Sequence, residues 1–256
     1  MHRRVLLLGV LLIGVAGPAG ALDHKNLDEG RPTRLDDAYA IATGEIEIAA
    51  GLGVGVSRRG PARGLFPIEI VYGALPNLQI GVGTGLTTDP RGLDEPPKSG
   101  DLHLGALYNL NQETLAIPAF GVRLDVGLPT GVDADNATVK LRGIVTKSVD
   151  RLSFHLNAAY EFITGARGDE RDGRYELAAG ASYPLGAPRY TRATLVADVF
   201  AEQAFHRGDD TVVGIEAGFR YQATSRLIWD LGMGTEFAGP RDRQRFFFTT
   251  GVSFGF

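Results

Sequence analysis

The sequence ends in FFFTTGVSFGF, residues Phe246–Phe256, and the fold can be inferred from this stretch. Every second residue from Phe246 is Phe, Thr or Val, whereas the residues between them are mostly small or polar. Because successive side chains of a β-strand point to opposite faces, the pattern predicts a strand with one apolar, aromatic face. Chain ends are usually frayed and polar, so a strand that continues to the last residue needs a partner beside it.

A suitable partner is GEIEIAAGLGVGV, Gly44–Val56, which alternates in the same way and places Glu45 and Glu47 on its polar face. The same period-two pattern recurs between these two stretches, in segments of about ten residues. The predicted strands are Gly44–Val56, Leu65–Ala74, Leu78–Leu86, Asp101–Leu110, Ala116–Leu128, Thr138–Val149, Ser153–Ile163, Arg174–Leu185, Ala193–Phe205, Thr211–Gln222, Leu227–Phe237 and Phe246–Phe256.

A soluble antiparallel sandwich also alternates, but three features favour a membrane barrel. The polar face is rich in Gly and Ala with isolated charges, which suits a closed interior. Aromatic residues lie at strand ends on the apolar face, as interfacial girdles require. The connections alternate between long, such as TTDPRGLDEPPKSG, and short, such as ATSR. We therefore predict an all-β, antiparallel, up-and-down transmembrane β-barrel of about 12 strands, within a range of 10 to 14, in the bacterial outer membrane.

The sequence predicts three parts of the chain, residues 1–21, 22–43 and 44–256. Residues 1–21 contain Arg3 and Arg4, an apolar run and an A-x-A site, which is the layout of a secretory signal peptide. The alternative is a membrane anchor, but the apolar run Val5–Ala16 is short of the roughly 20 residues that a spanning helix needs. We expect residues 22–43 to be an irregular periplasmic segment, because Pro32 would break a helix, and residues 44–256 to form the barrel.

Composition excludes several other classes of site. The chain has no Cys, so it has neither disulfides nor thiolate metal sites. The glycine-rich stretches GLGVG and GVGTG lie inside strands and do not begin a helix, so nucleotide binding is not expected. The loops HRGDD and DERDG do not have the spacing of a calcium loop. With a net charge of −4, the chain is not basic enough for nucleic acid. No cofactor and no metal ion are predicted.

The inward-facing charges are the strongest functional indication. Their acidic excess would favour cations or polar neutral solutes, because lining charge sets pore selectivity. Two interpretations remain, an open pore and a barrel filled by its own ion pairs. The predicted lumen-lining residues are Glu45, Glu47, Glu69, Asp101, His103, Arg123, Asp125, Lys140, Arg142, His155, Glu161, Glu216, Arg220, Asp230 and Glu236.

An enzymatic barrel is an alternative, because His155, Asn157 and Glu161 share one face of a predicted strand. Acyl transfer needs a nucleophile within hydrogen-bond reach of such a base. There is no Ser two residues after His155, the spacing that resembles outer-membrane phospholipase. We therefore expect the histidines to be lumen or structural groups, and the protein not to be an enzyme.

Three blocks of sequence resemble one family. GDLHLGALYNL (100–110), AIPAFGVRLDVGLPTG (116–131) and RPTRLDDAYAIATGEIEIAAG (31–51) are similar to the family called putative meta-pathway of phenol degradation, or outer-membrane transporter-like proteins. The resemblance implies a barrel that takes up aromatic compounds, and it implies no catalytic residue. The C-terminal Phe254 and Phe256 also resemble the signal by which the barrel-assembly machinery recognises its clients.

The function expected from the sequence is passive transport of small aromatic or polar molecules. The expected partners are therefore outer-membrane lipid, the barrel-assembly machinery and a small-molecule solute. Two alternatives remain open, a non-transporting structural or adhesive barrel and a lipid-modifying enzyme.

Overall fold

A computed structural model describes residues 22–27, 30–59, 62–87, 98–132, 136–186 and 191–256. The predicted signal peptide, residues 1–21, lies outside the described residues. The strands are β1 (Ile46–Ser57), β2 (Ala62–Leu75), β3 (Leu78–Thr87), β4 (Lys98–Ser99), β5 (Leu102–Asn111), β6 (Ala119–Leu128), β7 (Thr138–Val149), β8 (Leu152–Ile163), β9 (Gly173–Leu185), β10 (Ala193–Glu202), β11 (Val212–Thr224), β12 (Leu227–Ala238) and β13 (Gln244–Gly255).

The long strands close into a barrel. Each pairs antiparallel with its neighbours in chain order, and β1 pairs with β13 from Glu47 opposite Gly255 to Ser57 opposite Gln244. The two-residue β4 pairs only with the end of β3. The prediction of an all-β, up-and-down barrel of 12 strands is confirmed, and so is the pairing of its first and last strands. In the described part of the chain, closure gives each of the 12 long strands a partner on both sides, and an unpaired edge could not be satisfied in lipid.

Two predicted strands were too long. β6 begins at Ala119 rather than Ala116, because a turn precedes it in which the Thr114 N–H donates to the Ile117 carbonyl over 2.9 Å. β10 ends at Glu202 rather than Phe205. The remaining predicted boundaries lie within three residues of the observed ones.

The two faces of the wall have the opposite character to those of a soluble protein. On the outward face, Ile68 and Val199 are each 53% exposed. On the inward face, Arg220 and Asp230 are at most 1% exposed. This is the distribution required of a barrel whose outer surface meets lipid. In the part of the chain that the structure describes, no helix has the length and apolarity needed to cross a membrane.

The barrel has two distinct ends. The short-turn end carries tight turns such as those at Asn77 and Asp150, which adopt positive φ angles of 66° and 56°. Asn and Asp tolerate this conformation better than most residues. The start of β1 and the end of β13 also lie at this end, where the Phe256 N–H donates to the Ile46 carbonyl over 2.9 Å. The opposite, long-loop end carries the longer polar connections.

The described residues between 22 and 45, which we call the inner segment, run inside the barrel. The segment starts at the short-turn end, where the Leu22 N–H donates to the Ser225 carbonyl over 3.1 Å. It reaches its deepest point near Arg34 and returns to β1. The expectation of a periplasmic position is therefore corrected for these residues. The physical reason is that the polar groups of this aperiodic segment find partners on the inward faces of the strands.

Candidate functional site

The deepest point of the inner segment is held by an ion-pair cluster around Arg34. The Arg34 guanidinium lies 2.7 Å from Glu216 on β11 and 2.5 Å from Glu202 on β10. The backbone N–H of Arg34 also donates to the Glu216 carboxylate over 2.9 Å. Burial alone would lower the pKa of Arg34, but the two carboxylates outweigh it and raise that pKa above its ordinary value. Arg34 is therefore a permanent cation that fastens the segment to the wall.

Asp36 forms the second anchor, on the other side of the lumen. Arg142 donates to the Asp36 carboxylate over 2.7 Å. The side chain of Asn157 bonds the Asp36 backbone in both directions, since Oδ1 accepts the N–H over 2.7 Å and Nδ2 donates to the carbonyl over 3.0 Å. Asn157 thus pairs with this peptide unit much as a neighbouring strand would.

Two inward-facing aromatic residues break the alternation of small and polar side chains on the lumen face. Phe200 and Phe247 pack edge to face, with ring centroids 6.3 Å apart. The Arg34 guanidinium lies 3.8 Å from the Phe200 ring centroid, at cation–π distance. Phe200 also belongs to a buried cluster with Leu27 and Leu35 of the inner segment. The alternation of the sequence does not explain why Phe247 points inward. In the structure, Phe247 packs against the same buried cluster, which includes Leu27 and Leu35 of the inner segment.

The three blocks that resemble one family meet in space. Asn109, from the first block, donates to the Ala38 carbonyl of the inner segment over 2.7 Å. A Cβ at Gly121, in the second block, would lie 3.1 Å from the Cα of Ala38. At the long-loop end, the Asp101 carboxylate of the first block accepts the N–H of Gly131 over 3.0 Å. The blocks therefore form one unit that positions the segment against β5 and β6.

The structure places the predicted lumen residues at three levels of exposure. Those buried are Glu45, Glu47, Arg142, His155, Glu161, Glu216, Arg220, Asp230 and Glu236. Those half-buried are Glu69, Asp101, Arg123, Asp125 and Lys140, while His103 is exposed. Many of these charges lie in ion pairs, such as Arg123 with Asp125 at 2.9 Å. Phe254, predicted as part of the assembly signal, packs against Phe256 with ring centroids 4.8 Å apart.

Sequence reasoning missed three basic residues of the lumen. Arg174 lies 2.5 Å from Glu161 and 2.8 Å from Glu202. Arg31 lies 3.8 Å from Asp230, and Arg34 forms the cluster described above. The alternation of β9 could have identified Arg174. Arg31 and Arg34 carry no strand signal, because they come from the aperiodic segment. Arg31 and Arg34 offset acidic residues of the wall, but Asp36 of the same segment offsets Arg142, so the segment does not remove the acidic excess inferred from the strands.

Next to the inner segment, a cavity of about 430 Å³ lies near the short-turn end. Among the residues that line it is His155, whose Nδ1 lies 3.2 Å from the Thr146 hydroxyl and whose Nε2 lies 3.0 Å from the Ser182 hydroxyl. The segment contributes Tyr39, and burial, with Glu113 and Asp37 nearby, raises the pKa of Tyr39 to about 12. Tyr39 is therefore neutral at physiological pH. A second, smaller cavity lies near Arg34 and Glu202.

A second histidine anchors the start of the segment. His24 Nδ1 lies 2.9 Å from the Thr194 hydroxyl on β10. Burial, together with the nearby Lys25 and Arg220, lowers the pKa of His24, although Asp23 opposes this effect. The ring is therefore bound in its neutral form. Within the described ranges, no group of three His, Asp or Glu side chains is arranged to hold a metal ion.

Comparison with known proteins gives a family and a fold. A sequence model of the family described as "Putative MetA-pathway of phenol degradation" matches residues 30–256. No curated protein matches the chain. Among solved structures, the COG4313 outer membrane channel from Pseudomonas putida F1 is 14% identical, with a TM-score of 0.69 over 90% of this chain and 100% of that chain. The NanC porin is 10% identical, with a TM-score of 0.58 over 82% of this chain and 98% of that chain. The KdgM porin is 11% identical, with a TM-score of 0.56 over 83% of this chain and 99% of that chain.

Proposed function

This chain belongs to the family described as "Putative MetA-pathway of phenol degradation", and from this membership and its lumen we propose that it is an outer-membrane channel for the passive movement of small molecules. The inner segment narrows the path and sets what passes. The observation that carries the proposal is a closed barrel with an apolar outer face, whose charged lumen holds a segment anchored by Arg34 and Asp36. The similar solved structures, a channel and two porins, support the same function.

The class of solute is proposed from the family description and from the side chains that line the lumen. The family description refers to phenol degradation, so phenol is the first aromatic solute to test. The lumen, by contrast, is lined by charged and hydroxyl side chains, which suit polar solutes. Outer-membrane lipid on the exposed apolar face and the barrel-assembly machinery at the terminal strand complete the proposed partners.

Planar-bilayer recording of the purified protein tests the proposal. We expect ion conductance from the wild-type chain and a higher conductance from Arg34→Gln, because this variant removes the cation that holds the segment between Glu202 and Glu216. Arg245→Gln is the control, because Arg245 is an exposed arginine of β13. The absence of conductance and of solute flux at every voltage, for both the wild-type and the Arg34→Gln protein, would contradict the proposal.

A catalytic function has one observation in its favour, the 3.0 Å contact between His155 and Ser182. A serine hydrolase also needs a group that orients the imidazole, and this is usually a carboxylate. Here the other ring nitrogen of His155 contacts the hydroxyl of Thr146 instead. The geometry therefore supports a channel better than an enzyme. An altered lipid profile in a strain that carries only His155→Ala would support the catalytic alternative.

A further inference from the structure

We propose that the cavity at the short-turn end is a binding site for a small, uncharged, hydroxylated molecule, such as a polyol or a monosaccharide. This inference extends the proposed channel function by naming a solute class and the place where it binds. The cavity of about 430 Å³ lies between the inner segment and the wall formed by β7–β10. Small-molecule sites commonly have volumes of about 300–1,000 Å³, so a monosaccharide fits.

Serine hydroxyls from three neighbouring strands form a row on the wall of this cavity. Ser148 on β7 is directly opposite Ser153 on β8, and Ser153 is directly opposite Ser182 on β9. The hydroxyls of Ser148 and Ser153 lie 3.0 Å apart. All three residues line the cavity. Because a hydroxyl both donates and accepts hydrogen bonds, this row presents groups of the same chemistry as a polyol.

The next row of the wall is also neutral. Thr146 and His155 are cross-strand partners on β7 and β8, and both line the cavity. The imidazole contacts hydroxyls at both nitrogens, Thr146 on one side and Ser182 on the other. Thr146 also accepts the Ala38 N–H over 3.1 Å, which connects this row to the inner segment. A ligand here therefore meets hydroxyl and imidazole groups from both rows.

Five charged residues line the cavity, of which Asp23, Asp37 and Asp150 are acidic and Lys25 and Arg151 are basic, so neither sign dominates. Asp37 of the inner segment accepts the backbone N–H groups of Leu27 and Tyr39, each over 2.9 Å. Arg151 on the opposite side donates to the carbonyls of Pro184 and Gly186, each over 2.5 Å. Asp37 and Arg151 are thus satisfied without a counter-ion from outside, whereas a buried charged ligand would need one. The site therefore favours a neutral ligand over an anion or a cation.

The polar lining also argues against an apolar ligand. Typical small-molecule pockets are mostly apolar with a few polar groups. In this cavity the hydroxyls of Ser148 and Ser153 bond each other and that of Ser182 bonds His155. Each hydroxyl has one donor and two acceptor sites, so an apolar molecule would leave the remaining sites unfilled, which is unfavourable. A hydroxylated ligand satisfies these groups, while Tyr39 offers an aromatic surface for its C–H groups.

The test is a titration of the full-length purified protein with D-glucose, followed by saturation-transfer-difference NMR in lauryldimethylamine oxide, a detergent without a sugar head group. We expect saturable binding to the wild-type chain. The double variant Ser153→Ala/Ser182→Ala removes two facing hydroxyls but keeps the segment contacts at Thr146 and Thr194. We expect its Kd for glucose to rise about tenfold or more, because each lost hydrogen bond is worth roughly 1 kcal/mol.

Controls separate the cavity from the rest of the barrel. Ser225→Ala removes an exposed hydroxyl from a turn at the same end, outside the cavity lining, and should leave the Kd unchanged. D-gluconate, which adds a negative charge to a similar polyol, should bind more weakly than glucose. If the double variant does not fold, as judged by a heat-modifiable band on a gel, Ser182→Ala alone replaces it.

The proposal is overturned if glucose shows no saturable binding to the wild type. It is also overturned if the Ser153→Ala/Ser182→Ala variant has the same Kd for glucose as the wild type, or if gluconate binds as tightly as glucose. Binding in detergent does not depend on transport. A protein that binds glucose but does not conduct would therefore contradict the channel and leave this site in place. A protein that conducts but does not bind glucose would contradict this site and leave the channel in place.

Discussion

At the scale of single residues, glycines on the inward face leave the space through which the inner segment runs. Gly232 on β12 faces the backbone of Pro32, and a Cβ there would overlap the Pro32 carbonyl oxygen and lie 2.7 Å from the Thr249 hydroxyl. Gly121 has a similar role against Ala38. Each glycine is therefore required by the close approach of another backbone rather than by its own turn geometry.

Gly232→Val tests this requirement. Overpacking typically costs about 1–3 kcal/mol, which would move the equilibrium from the inserted to the released segment by roughly 5- to 150-fold. We expect faster trypsin cleavage after Arg34, which Leu35 follows, and a higher conductance. The control is Gly143→Ala on the outward face, where the nearest atom to the new Cβ is 4.0 Å away. Equal cleavage rates in the two variants would contradict the role of Gly232.

His24 makes the position of the segment dependent on pH. The released ring has an ordinary pKa of 6.5, while burial lowers the pKa in the inserted state, where Lys25 and Arg220 act in the same direction and Asp23 opposes them. The released state therefore binds protons more readily than the inserted state. As pH falls below 6.5, the inserted state loses stability relative to the released one.

We expect release of the segment to increase several-fold between pH 7.5 and pH 5.0. Release is measured as the trypsin cleavage rate divided by that of an unstructured peptide at the same pH, because trypsin itself slows when its catalytic histidine is protonated. His24→Gln can keep a hydrogen bond to Thr194 but cannot be protonated, so its cleavage relative to the unstructured peptide should not change with pH. The same pH response in wild type and in His24→Gln would assign the effect to other groups, such as His155 on the facing wall.

At the scale of elements, Phe256, the residue that follows β13, extends the contact between the last and first strands. The Phe256 N–H donates to the Ile46 carbonyl over 2.9 Å, and its ring packs against Phe254. Along the rest of β13 the pairing with β1 is continuous up to a register shift near Val56. The final residue is therefore the point at which the first and last strands are joined at the short-turn end.

Deletion of Phe256 should impair assembly more than it alters the assembled barrel. We expect a several-fold loss of the heat-modifiable, folded form in outer-membrane fractions, because the closing contact with β1 is lost. Protein that does assemble should conduct like the wild type. Phe246→Ala, at the other end of β13, is the control for loss of one aromatic ring. An equal loss of the folded form in both variants would contradict a particular role for Phe256 in assembly.

At the scale of the whole molecule, the lumen is a network of charges of both signs. The wall supplies an acidic excess. Arg31 and Arg34 of the inner segment pair with acidic residues of the wall, while Asp36 of the same segment pairs with Arg142. The remaining balance is acidic, so the barrel should prefer cations over anions to a modest degree. Because exposed charges are screened by salt, the preference should be greatest at low ionic strength.

Reversal potentials in a KCl gradient test this balance. We expect a preference for potassium that increases in Lys140→Gln, since this variant removes a lumen cation lying 3.7 Å from Glu176. Arg245→Gln removes an exposed arginine and should have no effect. A preference for chloride in the wild type would contradict an acidic balance in the lumen.

The sequence by itself determined the fold class, the order of the strands, their faces and the pairing of the first and last strands. A strand alternates with a period of two, so the order of apolar and polar residues states directly which side chains face lipid. Only the tertiary structure decided what occupies the lumen. Arg34 meets Glu202 and Glu216 from 168 and 182 residues away, and Ser148, Ser153 and Ser182 form a row only when three strands pair in register. Such contacts have no local pattern, because they arise from the closure of the barrel around an aperiodic segment.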